Sequence, residues 1–368
     1  MKKKVLVVDD SALMRRVLSD IINLDERFHV SKVANNGMEA LNLLVQDKEA
    51  YDAIILDINM PVMNGLELLE ELNKKRLKAT IIIVSTIAKE GTKETIRALE
   101  LGAFDFVTKP DSFYEIKSDN FKNKIIDCLA VATKLYLDSV KEIIPVQQPE
   151  VSQQPAEKPV VHPAKQSNTR HPGNNTKKLI VVASSTGGPK ALQQVIPLLS
   201  TSLDCSVLVV QHMPEGFTAS LANRLNELSQ LRVKEAEHGE ILAQGVVYIA
   251  KGGSQMRLHT LKDGTEQLSV TSEAARKGLK PCADILFESL ADSDFDRITC
   301  VVLTGMGGDG THGIKQLKEK KEIYVIAQNE ATCTVYGMPK VVAEAGLANE
   351  IVPINQIADA INKNMEVR

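Results

Sequence analysis

The sequence has few cysteines, and none is arranged for a metal site or a catalytic thiol. No Cys-x-x-Cys pair occurs, and no histidine lies at metal-binding spacing from a cysteine. A small, odd and scattered set is typical of core residues in a reducing compartment. A disulfide scaffold and a zinc site are therefore not expected. The five are Cys128, Cys205, Cys282, Cys300 and Cys333.

Long hydrophobic runs are also missing. The opening segment MKKKVLVVDDS has a basic start, but two aspartates end its apolar run almost at once. That run is too short for the hydrophobic region of a signal peptide. No other stretch approaches the ~18–20 apolar residues that a membrane span needs. We expect a protein that is not membrane-inserted and that stays in the cytoplasm.

The chain has no surplus of positive charge. Lys and Arg number 44 against 47 for Asp and Glu, which gives a net charge of −3, and no long basic run occurs. A nucleic-acid footprint needs a basic patch or stripe, so nucleic acid is not an expected partner. Coiled-coil heptads are also missing, and we expect a monomer.

What the sequence does have is two stretches in which apolar runs alternate with helix-period segments. A chain of 368 residues suits two domains of ordinary size. In residues 1–125 the runs VLVV, VSKVA, AIILD, TIIIV and FDFVT are typical of strands buried on both faces. This β-α alternation predicts a doubly wound α/β domain, a flavodoxin-like five-stranded parallel sheet.

Residues 126–176 are expected to be a helical end followed by a flexible linker. Positions 145–176 hold six of the 14 prolines and no Leu, Ile, Met, Phe or Tyr. Such a segment cannot bury enough apolar surface to offset its ordering entropy. Residues 177–368 return to β-α alternation and predict a mainly parallel α/β domain. Its runs QMRLH and EQLSV flank the turn sequence KDGT, which predicts an antiparallel hairpin.

Polar residues of one chemical kind end the strands of the first domain. Asp9 and Asp10 follow the first strand, Asp57 ends the third, Ser85 the fourth and Lys109 the fifth. In a parallel sheet these ends converge on one rim, where clustered carboxylates need a cation such as Mg²⁺. Asp57 could then attack a phosphoryl donor, with Lys109 and the Ser85 hydroxyl holding the phosphoryl oxygens.

At these residues the chain resembles the receiver domain of bacterial response regulators. The matching segments are VVDDS, LDINMPVMNG, VST and VTKP. The resemblance implies that a histidine kinase phosphorylates Asp57. It also implies that Asp10, Asp57 and the Asn59 carbonyl hold Mg²⁺, with Asp9 acting through water. Phe106 matches the aromatic switch position of that family.

The second domain carries a nucleophile turn. In LIVVASSTGGPKAL, Ser185 lies on a Gly-rich strand-to-helix turn, where a helix N-terminus favours developing negative charge. His212 ends the next strand, and Asp309 follows a later one. Three strand ends on one rim can assemble a serine nucleophile, a histidine base and an orienting carboxylate.

Each member of this set has a plainer interpretation. Ser185 could bind an anion, His212 could be a structural histidine, and Asp309 could cap a helix. The glycines of TGMGGDG, with Glu330 further on, also spell a dinucleotide fingerprint. That interpretation is disfavoured, because Asp309 would direct a negative charge at the pyrophosphate.

The segments SSTGG, QHMPEGFT, TGMGGDG and VYGMP resemble the catalytic domain of the chemotaxis methylesterases, over about residues 178–361. The resemblance implies that Ser185 attacks the methyl ester of a glutamate on a chemoreceptor. His212 would take the serine proton, Asp309 would orient His212, and the Met306 backbone N–H would stabilise the oxyanion. Methanol is then released.

The same resemblance implies deamidation of receptor glutamines and no cofactor in the catalytic domain. It further implies a receiver that inhibits the enzyme until Asp57 is phosphorylated. Ala183, Lys251 and Gln255 depart from the family pattern, and the last two are expected to affect substrate fit. Two rival functions are a DNA-binding response regulator, which would need a basic helix-turn-helix, and a non-catalytic receptor adaptor.

Overall fold

The computed structural model describes residues 2–46, 51–86, 88–110, 119–135 and 177–366. The predicted linker over 145–176 lies outside these residues. The described residues form two sheets of parallel strands and one antiparallel hairpin.

The N-terminal sheet has five parallel strands in the order β2-β1-β3-β4-β5. This is the flavodoxin-like order, which confirms the predicted fold class. The strands are β1 (Lys3–Val8), β2 (Phe28–Ala34), β3 (Ala53–Asp57), β4 (Ile81–Ser85) and β5 (Asp105–Thr108). The helices are α1 (Ala12–Leu24), α2 (Gly37–Gln46), α3 (Gly65–Lys74), α4 (Lys89–Glu100) and α5 (Asp119–Ala132).

Local sequence explains how these elements begin and pack. β3 and β4 are buried along their whole length, as the continuous Ile-rich runs predict. Ser11 caps α1 by accepting a hydrogen bond from the Met14 amide, which leaves Asp9 and Asp10 at the sheet rim. α5 continues past residue 125 and packs Leu129 and Ala130 into the core of this domain.

The C-terminal sheet has seven parallel strands in the order β14-β13-β12-β6-β7-β9-β8. The pair β10-β11 forms the predicted antiparallel hairpin outside it. The strands are β6 (Lys178–Ser184), β7 (Ser206–Gln211), β8 (Arg232–Glu235), β9 (Val246–Ile249), β10 (Gln255–Thr260), β11 (Glu266–Thr271), β12 (Arg297–Val302), β13 (Ile323–Gln328) and β14 (Glu350–Val352).

The helices of this domain cover both faces of its sheet. They are α6 (Gly188–Val195), α7 (Phe217–Leu228), α8 (Ala283–Ser289), α9 (Thr311–Lys320), α10 (Met338–Glu344) and α11 (Ile354–Asn364). The short edge strand β8 was not predicted, because an edge strand needs no apolar run and its sequence, RVKE, has none.

The two domains pack directly on each other through α4 of the first and α6 and α7 of the second. Ile96 and Leu99 of α4 belong to the same buried apolar cluster as Leu192 of α6 and Leu221 of α7. The contact is therefore a continuous hydrophobic interface. Among the described helices, none combines the length and the apolar character that a membrane crossing requires.

Candidate active site

The turn after β6 presents Ser185 at the carboxyl edge of the sheet. Gly187 has a φ of +77°, a left-handed conformation that glycine adopts without strain, and Pro189 fills the first turn of α6. A Cβ atom on Gly188 would collide with the Gln211 side chain that passes beneath the turn. The Gly-Gly-Pro sequence is thus what lets this turn form.

Ser184 and Ser185 differ in what their side chains do. Ser184 is fully buried, and its hydroxyl donates to Gln211 Oε1 at 2.7 Å. The Gln211 amide in turn donates to the Ser185 carbonyl at 2.9 Å and to the His212 carbonyl at 3.1 Å. Gln211 therefore braces the backbone of both residues. Sequence reasoning missed this role, although a glutamine ending a wholly buried strand was a signal for it.

His212 lies beside Ser185 by strand register. Ser184 of β6 pairs with Gln211 of β7, so the next residue on each strand, Ser185 and His212, leaves the sheet at the same level. Among the described residues no hydrogen bond joins these two side chains. Such bonds are often long in a free enzyme and shorten with substrate.

The structure brings His212 and Asp309 together. His212 Nε2 lies 2.7 Å from Asp309 Oδ2, and the two side chains are only 10% and 6% exposed. Asp309 also accepts hydrogen bonds from the backbone amides of Ala283 at 2.6 Å and Asp284 at 3.0 Å. The Cys282 thiol lies 3.2 Å from the other carboxylate oxygen. Asp309 is thus fixed by the start of α8.

These contacts keep Asp309 ionised. Burial alone would raise the pKa of its carboxyl, but the hydrogen bond and charge of His212 and the amides of Ala283 and Asp284 lower that pKa well below its usual range. By contrast, burial and the nearby Asp309 charge raise the pKa of the Cys282 thiol to about 12. Cys282 is therefore a neutral donor toward Asp309 at neutral pH.

The loop after β12 lies against Ser185. A Cβ atom at Gly305 would lie 2.7 Å from the Ser185 Cβ, so only glycine fits there. The Ser185 amide donates to the Thr304 carbonyl at 3.0 Å, which removes it as an oxyanion donor. The Met306 amide, one residue beyond Gly305, has no acceptor within the described residues. This proximity gives Gly305 of the fingerprint-like segment a packing role.

In the first domain, Lys109 joins two of the predicted carboxylates. Its ammonium lies 2.9 Å from Asp9 and 2.8 Å from Asp57. Burial raises the pKa of Asp57, an effect that Lys109 partly opposes and the charge of Asp9 reinforces. For Lys109, burial would lower the pKa, but Asp57 and Asp9 raise it. Oxygen atoms of Asp9, Asp10 and Asp57 all lie within 4.8 Å of one another.

Two residues of this predicted site are exposed to solvent, and a third directs its side chain to α4. Asp10 and Asn59 are exposed at the rim. The Ser85 hydroxyl lies 3.3 Å from the Gly91 carbonyl in the first turn of α4. A phosphoryl contact through Ser85 therefore requires its side chain to rotate away from α4.

The predicted switch residue, Phe106, contacts the second domain. Its ring lies 4.5 Å from that of Phe217, the first residue of α7. Next to it, Asp105 accepts a hydrogen bond from the Thr186 hydroxyl at 2.7 Å, one residue from Ser185. Burial raises the pKa of Asp105, and its hydrogen bonds from Thr186 and the Phe106 amide partly offset this effect. The first domain thus reaches the nucleophile turn.

Polar contacts extend the interface along α4 and α7. Arg224 Nε and Nη2 donate to the two carboxylate oxygens of Glu100, at 2.5 and 3.3 Å. The hydroxyls of Thr92 and Ser220 lie 2.7 Å apart. Sequence reasoning identified none of these contacts, because they join residues more than a hundred positions apart.

Of the three departures from the family pattern, Gln255 is the one whose contacts explain its position. It is fully buried, donates to the Leu279 carbonyl at 2.9 Å and accepts from the Cys282 amide at 2.9 Å. It therefore holds the loop before α8, close to Asp309. Ala183 is buried in β6, and Lys251 is partly exposed.

Comparison with known proteins gives matches over both domains. Residues 180–361 match the family described as CheB methylesterase, and residues 5–119 match the response regulator receiver domain. A protein-glutamate methylesterase/protein-glutamine glutaminase of Syntrophomonas wolfei subsp. wolfei is 41% identical over 98% of each chain. The protein of that name from Bacillus subtilis is 40% identical over 97% of each chain.

A solved structure also resembles the C-terminal half. The Thermotoga maritima CheB methylesterase catalytic domain is 39% identical, covers 53% of this chain and all of that one, and has a TM-score of 0.49. The near full-length likeness to curated relatives, with both domains in the same chain, decides the family. The chain belongs to the CheB methylesterases that carry a response regulator receiver domain in front of the catalytic domain.

Proposed function

We propose that this chain hydrolyses glutamate methyl esters on chemoreceptors, with Ser185 as nucleophile, His212 as base and Asp309 as the orienting carboxylate. The single observation that carries the proposal is the His212–Asp309 contact of 2.7 Å on the rim where Ser185 leaves the neighbouring strand. The names of the relatives supply the substrate class.

The first half of the reaction forms an acyl-enzyme. Because Asp309 is ionised, it accepts the Nε2 proton of His212, which leaves the Nδ1 lone pair free to act as base. Ser185 Oγ attacks the ester carbonyl carbon as His212 takes its proton, and the Met306 amide stabilises the oxyanion. The C–O bond to methanol then breaks as His212 returns the proton to the leaving oxygen.

The second half releases the product. Water attacks the glutamyl ester of Ser185 with His212 again as base, and the serine leaves with the returned proton. The same steps convert a glutamine side chain, with ammonia in place of methanol as the leaving group. We therefore propose receptor glutamine deamidation as a second activity of the same site, and no cofactor is needed for either reaction.

The receiver residues fit a magnesium ion. Asp9, Asp10 and Asp57 offer only hard oxygen ligands within reach of one another, which is the donor set Mg²⁺ prefers. Asp10, Asp57 and the Asn59 carbonyl would hold the ion, with Asp9 behind a water, and the bound ion would neutralise phosphoryl charge. In the proposed phosphorylation, the Asp57 carboxylate would attack the phosphorus of a phosphohistidine on a histidine kinase, and the P–N bond would break as the O–P bond forms, leaving the kinase imidazole. Lys109 and Ser85 would contact the phosphoryl oxygens.

We further propose that the unphosphorylated receiver covers the catalytic rim. Asp105 and Phe106 of β5 contact the nucleophile turn and α7, and α4 packs beside them. Phosphorylation acts on this interface if Ser85 turns toward the phosphoryl group, since that movement breaks its contact with the first turn of α4.

The enzyme acts in the cytoplasm, which its five free cysteines support.

The proposal is tested by measuring methanol released from membranes that hold methylated chemoreceptors. We expect slow release by the intact chain and faster release after addition of a small phosphodonor with Mg²⁺. Release that never exceeds the enzyme-free rate would indicate an adaptor and not an esterase. Equal release with and without phosphodonor would contradict control by the receiver.

The interface supplies a second prediction. Arg224→Ala removes the two-point contact with Glu100, and a partly exposed ion pair of this kind contributes on the order of 1 kcal/mol. We expect the unphosphorylated variant to release methanol up to about fivefold faster than the intact chain, the factor that 1 kcal/mol gives in an equilibrium. The stimulated rate should stay the same.

Arg297→Ala is the matched control for Arg224→Ala. Arg297 begins β12, at the edge of the sheet opposite the rim, and pairs with Glu366 at 3.1 Å. This variant loses an arginine side chain of similar exposure and its ion pair but no contact with the receiver, so both of its rates should match those of the intact chain. Similar rate changes in the two variants would show that the Glu100 contact has no role in covering.

A further inference from the structure

Reciprocal hydrogen bonds join the loop that carries Asp309 to helix α8, which holds that aspartate in place. The Asp309 carboxylate accepts hydrogen bonds from the backbone amides of Ala283 and Asp284 at the start of α8. Asp284 Oδ1 accepts hydrogen bonds from the backbone amides of Gly310 at 2.9 Å and Gly313 at 2.8 Å, at the start of α9. Asp309 therefore accepts from backbone amides at the start of α8, and Asp284 accepts from those at the start of α9. Amides at a helix start have no acceptor within their own helix.

These reciprocal hydrogen bonds explain why the Asp309 carboxylate is available to bind His212. An aspartate just before a helix ordinarily caps that helix with its own carboxylate. Here the N-cap position of α9 is Gly310, with a φ of +90° and no side chain to cap with. Asp284 provides the cap from another helix, so the Asp309 carboxylate can turn to the imidazole.

The packing around Asp284 leaves little freedom. Its side chain is almost fully buried, and a Cβ atom on Gly313 would lie 2.7 Å from the Asp284 carbonyl and 2.7 Å from the Phe287 Cβ. α9 therefore approaches α8 too closely for a side chain at position 313. The exposed Lys277 ammonium lies 3.9 Å from Asp284 Oδ2, at the outer side of this contact.

We infer that Asp284 is a positioning residue for the hydrolysis: by capping α9 it keeps the Asp309 carboxylate on His212. Asp284 contacts neither Ser185 nor His212 and acts only through Asp309. The inference rests on the proposed function, since it assigns Asp309 the role of orienting the base.

The test uses the full chain, stimulated with phosphodonor and Mg²⁺, and methanol release from methylated receptors. Asp284→Ala removes the cap, so the α9 amides compete with His212 for Asp309. We expect kcat to fall about 10- to 100-fold, because a misplacement of ~1 Å in a catalytic group can cost on the order of 100-fold. KM should change by less than about threefold, since Asp284 does not contact the substrate.

Two further variants separate the cap from the charge. Asp284→Asn keeps an oxygen for both amides and should restore kcat to within about threefold of the intact enzyme, since each amide bond is retained. Lys277→Gln removes the neighbouring positive charge without touching the cap, and its kcat should equal that of the intact enzyme. A kcat for Asp284→Asn as low as that of Asp284→Ala would overturn the inference.

A double-mutant cycle distinguishes positioning from a general structural effect. In an Asp309→Asn background, Asp284→Ala should lower kcat by less than about threefold, because the carboxylate it positions is already gone. An equal loss in both backgrounds would refute the inference. If Asp284→Ala does not fold, Asp284→Ser, whose hydroxyl is too short to reach both amides, replaces it.

The proposed function fails in a different way from this inference. If Asp309→Asn alone releases methanol at the rate of the intact chain, the triad assignment is wrong. If Asp309→Asn is impaired and the cycle is additive, the triad stands and only the role of Asp284 is wrong.

Discussion

Replacing Ser185 with alanine is expected to abolish methanol release. In the proposed mechanism the acyl-enzyme forms on the Ser185 oxygen, and loss of a serine nucleophile in enzymes of this type lowers kcat on the order of 10⁴- to 10⁶-fold. Folding should be unaffected, because the Ser185 side chain makes no hydrogen bond within the described residues. The measurement is methanol release by the stimulated chain, with thermal unfolding recorded in parallel.

Ser184→Ala is the matched control, since it makes the same change one residue earlier. Ser184 is buried and donates only to Gln211, whose buried Oε1 loses that donor, so the substitution should lower the free energy of unfolding by about 1–3 kcal/mol. Gln211 keeps its two hydrogen bonds to the Ser185 and His212 carbonyls. We therefore expect activity to fall less than about tenfold, as for a change outside the reacting groups. An inactive Ser184→Ala beside an active Ser185→Ala would assign the nucleophile to Ser184.

The arrangement of the strands could be predicted from the sequence because buried parallel strands leave a strong signal. Continuous apolar runs such as AIILD and KLIVVAS, separated by helix-period segments, are typical of a parallel sheet covered on both faces. Polar residues directly after such runs must then lie on one rim. That reasoning placed His212 and Asp309 near each other, and their side chains are in contact.

The residues that hold the candidate catalytic residues in place could not be predicted in the same way. Asp284 lies inside a seven-residue helix, and nothing local distinguishes its carboxylate from one exposed to solvent. Its role appears only when α8 and α9 pack at Gly313, which depends on tertiary structure. The same holds for Gln211, whose partners are backbone carbonyls that no side-chain motif encodes.

Side-chain orientation at the receiver site was likewise beyond the sequence. The motif VST places a hydroxyl at the end of β4, but the rotamer of Ser85 directs it to Gly91. The domain interface is also hidden, because Asp105 and Phe106 belong to a segment typical of any receiver strand. Their contacts with Thr186 and Phe217 depend on how the two domains pack on each other.

These contacts support the proposal that phosphorylation of the receiver affects the turn that carries Ser185. One set of contacts joins Ser85 to Gly91 of α4, which packs on α6 and α7. The other follows β5, where Lys109 binds Asp57 and Asp105 binds Thr186. Both sets of contacts reach the turn that carries Ser185 or the helices beside it, which is where the proposed phosphorylation of Asp57 would bias the interface.

Asp57→Asn is expected to remove all stimulation by phosphodonor. The amide is the same size as the carboxylate and can still accept a hydrogen bond from Lys109, but it is not a nucleophile toward phosphorus. Methanol release with and without phosphodonor and Mg²⁺ should therefore become equal. Asp52→Asn is the control, since Asp52 pairs with Lys3 just before β3, at the far edge of the sheet, and its stimulation should persist. Stimulation that survives in Asp57→Asn would mean that phosphorylation of Asp57 does not control the catalytic domain.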